Sequence, residues 1–238
     1  EEISEKPETV ALDTVADVLA HRGQLLTDYQ DAAYAKRYSD FVNDIQQRAA
    51  KQIDDSEEFV RQVALSLARL MAYKDEYEVA RLYTSEKFLQ RIQNQFTGDF
   101  KLSFNLAPPM LPGKDPSGRP KKREFGPWML SAFKLLKKFK GLRGTAFDPF
   151  GYFPERKMER RLIEEYRALI NSLVDHLNPS NMEIAIKIAA SAGDIAGYGL
   201  VKDAAVETYN TELVSLLKDF ENPQQPELAP QQLSVKQL

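Results

Sequence analysis

Between Lys114 and Arg143 ten residues are basic: Lys114, Arg119, Lys121, Lys122, Arg123, Lys134, Lys137, Lys138, Lys140 and Arg143. Only Asp115 and Glu124 oppose them, so this stretch carries +8 in a chain whose net charge is −3. The rest of the chain then sums to −11, with 22 basic residues against 33 acidic ones. Charge concentrated in this way suits an anionic ligand or partner. Arg119, Lys121, Lys122 and Arg123 crowd beside Gly118 and Pro120, on a loop able to approach a ligand closely. An arginine fork grips phosphate or carboxylate with two hydrogen bonds, whereas a lysine acts as a point charge. These four, with Arg143, are the candidate anion- or partner-binding residues. The alternative is internal, with the basic segment packed against acidic helices of its own chain.

Other chemistries find few residues to carry them. The two histidines, His21 and His176, lie far apart and neither stands at ligand spacing from Asp, Glu or Cys, so no metal site is expected. Without cysteine there is no thiolate nucleophile, disulfide or cysteine-held iron–sulfur cluster, and no triad suggests itself. Gly197-Tyr198-Gly199 opens like a dinucleotide fingerprint, but the third glycine and the preceding strand are missing. The Gly113–Lys122 stretch lacks the spacing of a phosphate-binding loop. A sequence pI of 5.6 argues against nucleic acid as the partner of the basic stretch. No apolar run approaches the ~20 residues of a membrane span, so no membrane is expected, and the lack of cysteine fits a cytoplasmic chain.

The elements that must position the basic stretch are read from periodicity. Leu12, Val15, Ala16, Leu19, Leu25 and Leu26 recur at helical spacing, with Asp13 or Thr14 as cap. A second helix is expected near Asp31–Ile53, its Tyr34, Tyr38, Phe41, Val42 and Ile45 in the core. Asp54–Phe59 reads as a helix start, and the helix from Glu57 to about Tyr73 is the most apolar of this half, hence its central one. A short helix follows over Ser85–Phe96. The period then changes: Phe100, Leu102, Phe104 and Leu106 alternate with polar residues, which predicts a strand. Its partner is sought near Leu142–Phe147 or in a longer chain. Pro127 starts a helix whose Trp128, Met129, Ala132, Phe133, Leu135, Leu136 and Phe139 are expected to be buried, with the lysines outside. Further helices are expected over Pro154–Leu177, Met182–Ala190 and Val201–Phe220.

The architecture expected is therefore mainly α, a helical domain with a small β element around residues 100–106. Residues 1–10 read as a disordered segment, 11–97 as a helical half, 98–220 as a second half carrying strand, basic loop and helices, and 221–238 as a Pro- and Gln-rich disordered tail. The acidic opening from Glu1 reads as a cut through a longer polypeptide.

GRPKKREFGPWML, at residues 118–130, and LRGTAFDPFGY, at residues 142–152, resemble the C-terminal region of fused indolepyruvate ferredoxin oxidoreductases. MAYKDEYEVARLY, FKLSFNLAPPML, ERKMERRLIEEY and GYGLVK extend the likeness over roughly residues 25–205. The family is one of thiamine-diphosphate-dependent 2-oxoacid oxidoreductases. The resemblance implies an accessory domain of an enzyme that oxidatively decarboxylates an aryl 2-oxo acid to an acyl-coenzyme A and passes electrons to ferredoxin. The GDG…N signature for thiamine diphosphate is absent, since Gly98-Asp99-Phe100 and Gly193-Asp194-Ile195 both fail at the third position. Thiamine diphosphate, magnesium and iron–sulfur clusters would thus sit in other domains of the parent polypeptide, and this segment alone is expected to be inactive. The basic loop would contact coenzyme A or, more simply, neighbouring domains. The rival reading is a non-catalytic helical interaction module that docks an acidic partner through its basic loop.

Overall fold

The computed structural model describes residues 11–96, 98, 101–107, 113, 121–197 and 199–223. The runs of period three and four fold as α1 (Val15–Tyr29), α2 (Ala32–Gln52), α3 (Glu57–Met71), α4 (Glu76–Tyr83) and α5 (Glu86–Gln95). Strands β1 (Phe104–Leu106) and β2 (Arg123–Phe125) follow. Then come α6 (Met129–Leu136), which runs on into a 3-10 turn (Lys137–Leu142), α7 (Pro154–Val174), α8 (Met182–Ser191) and α9 (Leu200–Glu221). The chain is mainly α, with a small two-stranded antiparallel sheet.

Helix starts follow local chemistry. The Thr14 hydroxyl accepts the Asp17 amide at 3.1 Å while the Asp17 carboxylate accepts the Thr14 amide at 3.2 Å, so two of the free amides at this helix start are satisfied reciprocally. Asp31 accepts the Tyr34 amide at 2.7 Å, and Asp75 the Glu78 amide at 2.8 Å. Ser56 makes no such bond; instead the Glu57 carboxylate accepts the Val15 amide at 2.8 Å, tying the start of α3 to that of α1.

The main core is built on α3, against which α1, α2, α7 and α8 all pack. Phe59, Val60, Val63, Ala64 and Leu67 of α3 are fully buried. Burying one such large apolar side chain stabilises the fold by about 1.5–3 kcal/mol. Leu162, Tyr166, Ile170, Ile188 and Val206 belong to the same cluster as the residues of α1–α3, so the expected halves 11–97 and 98–220 share one core. The aromatic positions of α2 lie inside, as expected. Buried tyrosine hydroxyls find carbonyls where helix ends leave them unpaired: Tyr34 donates to Met71, Tyr29 to Tyr73 and Tyr166 to Ala189, at 3.0, 2.8 and 2.7 Å.

A second, smaller cluster centres on Ala80, Phe104 and Phe133. The Tyr83 ring stacks on Phe133 at 5.6 Å and meets Phe104 edge-on at 5.4 Å. Here the strand differs from expectation. Phe104–Leu106 is extended, Lys101–Ser103 is not assigned to a strand, and Phe100 lies outside the described residues. The partner is Arg123–Phe125, with Phe104 opposite Phe125 and Leu106 opposite Arg123, and not the Leu142–Phe147 region, which forms the end of the 3-10 turn and a tight turn after it. Residues 1–10 and most of the expected tail lie outside the described residues; Glu221 still belongs to α9. Among the described residues no helix is long and apolar enough to cross a membrane.

Candidate functional site

The basic residues separate into two populations. Arg119 lies outside the described residues, as does Lys114. Lys121, Lys122 and Arg123 are exposed on and just before β2, and the Lys121 amide donates to the Gly113 carbonyl at 3.0 Å. From β2 the chain turns at Gly126-Pro127, where the Met129 and Leu130 amides donate to the Gly126 and Pro127 carbonyls and launch α6. Lys134 and Lys138 are exposed and make no ion pair among the described residues.

Lys140 and Arg143, in contrast, point inward. The Lys140 ammonium donates to the Asp28 carbonyl at 2.7 Å and to that of Thr27 at 3.3 Å, closing the last turn of α1. Burial pulls its pKa below the ordinary lysine value. Arg143 is 4% exposed. Its Nε and Nη2 donate to the Asp75 carboxylate at 2.5 and 2.9 Å, and Nη1 donates to the Tyr29 carbonyl at 2.8 Å. The guanidinium lies over the Tyr29 ring, 3.6 Å from its centre. Burial disfavours its charge, but the Asp75 carboxylate outweighs this and holds the pKa above the ordinary arginine value. All the donors this fork directs at Asp75 are committed, so the expectation that Arg143 binds an outside anion does not fit its place in the fold.

Asp148 plays the matching part in the aromatic turn. Its carboxylate accepts the Gly144 and Phe150 amides at 2.9 and 3.1 Å and the Tyr77 hydroxyl at 3.2 Å. Phe150 is buried, edge-on to Tyr77 at 5.3 Å. Gly151 is required by this closeness, since a Cβ there would stand 2.7 Å from an Asp148 oxygen. Beside it, Arg156 pairs with Glu76 at 3.4 Å and with Glu159, which also accepts from Lys202 at 2.6 Å, linking α4, α7 and α9. Burial raises the pKa of Glu76 above the ordinary range, and Arg156 only partly offsets it.

The outward face is of another kind. Trp128 is 61% exposed, Leu135 58% and Phe139 46%, where burial was expected for all three. The reason is geometric. Phe133, Met129 and Leu136 form the stripe that packs on Ala80 and Tyr83, while Trp128, Leu135 and Phe139 fall away from it and stay largely open, with Trp128 meeting Phe125 edge-on at 6.0 Å. Lys134 and Lys138, also exposed, flank that open side. Phe147 and Tyr152 of the aromatic turn are 82% and 61% exposed. A large, uncovered apolar surface rimmed by charge marks a place of contact. Tyr, Trp and Phe are enriched in interfaces for the same reason.

No group of three or more His, Cys, Asp or Glu among the described residues could hold a metal ion. His21 lies on α1, and His176 lies just past α7 with its Nδ1 3.0 Å from the Ser172 carbonyl. Arg143 with Asp75, and Arg156 and Lys202 with Glu159, are buried ions that pair with one another and hold elements in place. Two features escape sequence reasoning: the Arg143–Asp75 pair, whose members are 68 residues apart, and the choice between the two apolar stripes of α6. No curated protein and no solved structure matches the chain. Residues 15–214 match DUF6537, a family of unknown function, and the chain belongs to that family.

Proposed function

We propose that this chain is a C-terminal accessory domain of a thiamine-diphosphate-dependent indolepyruvate (2-oxoacid) ferredoxin oxidoreductase, and that it docks against other domains of that enzyme through the outer stripe of α6 and the aromatic turn. One observation supports this most. The two motif stretches that carry the family resemblance, 118–130 and 142–152, hold Trp128, Phe147 and Tyr152, large aromatics left uncovered, while Arg143 and Asp148 of the same region are spent inside to fix it. Exposed Lys121, Lys122, Lys134 and Lys138 suit an acidic facing surface. The thiamine, magnesium and iron–sulfur chemistry belongs to other domains in this reading, with coenzyme A and ferredoxin as partners of the whole cytoplasmic enzyme. What this chain contributes is a rigid docking face.

The test is an assay of the natural polypeptide that carries this sequence, with indolepyruvate, coenzyme A and a dye acceptor. Turnover is expected there and none from residues 1–238 alone. Replacing Lys121 and Lys122, exposed just before β2, with Gln should leave the melting curve of the chain unchanged and lower turnover of the natural polypeptide. A natural polypeptide without 2-oxoacid oxidation would overturn the reading and favour a separate acidic partner for the same face.

A further inference from the structure

Away from that face, α1 and the end of α8 pack on either side of α3 and leave a cleft of about 600 Å³ between them. Helical spacing builds its walls: Arg22 and Leu25 stand one turn apart on α1, and Gln62, Leu65, Ser66 and Arg69 line one face of α3. Gly193 and Asp194 close the far side, where a Cβ on Gly193 would reach within 3.4 Å of the Ser66 hydroxyl. The volume falls in the ~300–1,000 Å³ range of small-molecule sites.

Its arginines differ from most others in the fold. Arg48, Arg61, Arg81, Arg143 and Arg156 each have a carboxylate partner. Among the described residues Arg22 and Arg69 form neither an ion pair nor a side-chain hydrogen bond. Two guanidinium groups thus line one cleft beside apolar walls, with Asp194 as the one acidic lining residue. Arg22 is half-buried and Arg69 exposed, and an entering anion would exchange their hydration for charge-assisted bonds. Leu25, Leu65 and the alanines of the lining offer the apolar surface that a bare ion cannot use.

We propose that this cleft binds a small organic anion, one carboxylate or phosphate ester on an apolar body, with Arg22 and Arg69 gripping the charged end. The inference does not rest on the oxidoreductase reading. Titration calorimetry of the full 238-residue chain with phenylacetate and with phenyl phosphate tests it, and the tighter of the two identifies the anionic group. Saturable binding is expected for at least one, with benzyl alcohol and inorganic phosphate at least tenfold weaker. Arg22→Gln and Arg69→Gln should each weaken binding about tenfold, a loss of about 1.4 kcal/mol. Neither arginine holds another side chain, so the melting curves should match the parent's; Arg22→Lys and Arg69→Lys, which keep the charge but lose the fork, should fall between. Failure of both probes to saturate, equal binding of inorganic phosphate, or a loss confined to one arginine would overturn the proposal.

Discussion

The core around α3 and the cluster around Phe133 are held by different physics. The first is deep and draws aliphatic side chains and buried tyrosines from both ends of the chain. The second is thin: Ala80, Phe104 and Phe133 are its buried members, α5 beside it buries no residue, and one stripe of α6 is left bare. What joins them is ionic, with Asp75 at the start of α4 gripping Arg143 beyond α6, and Lys140 capping α1. The lesson is one of roles. A deep core can carry a thin layer whose outer side is kept free for contact, provided that buried charges fix the layer in place.

The deep core should fail most completely at high pH. Burial pushes the tyrosines of the deep core up, Tyr73 to about 12 and Tyr29, Tyr34, Tyr38 and Tyr166 upward as well. A phenol with a raised folded pKa lends stability that is complete below its unfolded value near 10 and is lost as pH climbs through the folded value. A tenfold difference in proton affinity between the folded and unfolded chain amounts to about 1.4 kcal/mol, so several tyrosines together should unfold the chain between about pH 10 and 12. Circular dichroism against pH checks this; stability that stays flat to about pH 12 would mean that the hydroxyls are not sealed in.

Next in size is the link between the regions. Arg143→Met strands Asp75 in the interior and should cost about 3–5 kcal/mol in denaturant unfolding. Adding Asp75→Leu should recover part of it, since the stranded charge is then gone, though the cap on α4 is lost too. A single variant within about 1 kcal/mol of the parent would show that the pair is dispensable. Phe133→Ala removes the centre of the thin cluster and should cost about 3 kcal/mol, the low end for a buried phenylalanine, because that cluster is shallow. Native-state hydrogen exchange should show the loss concentrated in α4–α6, with α1–α3 slower to open.

How far these regions are legible in the residues differs in the same way. The deep core is plain from spacing. The Tyr34, Tyr38, Phe41 series and the apolar run of α3 each have one apolar side, and Thr14 and Asp31 mark helix starts by chemistry local to the turn. The thin layer is not. Trp128–Phe139 carries two apolar stripes, and periodicity cannot say which of them meets the protein. Arg143 looks like its basic neighbours because its partner, Asp75, is remote in the chain. The pairing of β1 with β2 is hidden by the long connection between them, where turn chemistry sets no register. Local rules therefore recover elements, while the assignment of a surface as inner or outer depends on contacts that no local rule contains.

The smallest stability effect is expected at Trp128, the single tryptophan of the chain. With 61% of its surface exposed, Trp128→Ala should alter stability by about 0.5 kcal/mol or less. The parent's fluorescence should be open to acrylamide quenching; strong protection would place the indole inside after all.

The docking claim itself is tested most directly by hydrogen exchange of the same segment in two settings, the 238-residue chain alone and the natural polypeptide that carries it. Amides around residues 128–139 and 147–152 should exchange more slowly in the natural polypeptide, while the amides of α1–α3 exchange alike in both. Equal exchange of 128–152 in the two settings would contradict the claim that this face is covered by other domains.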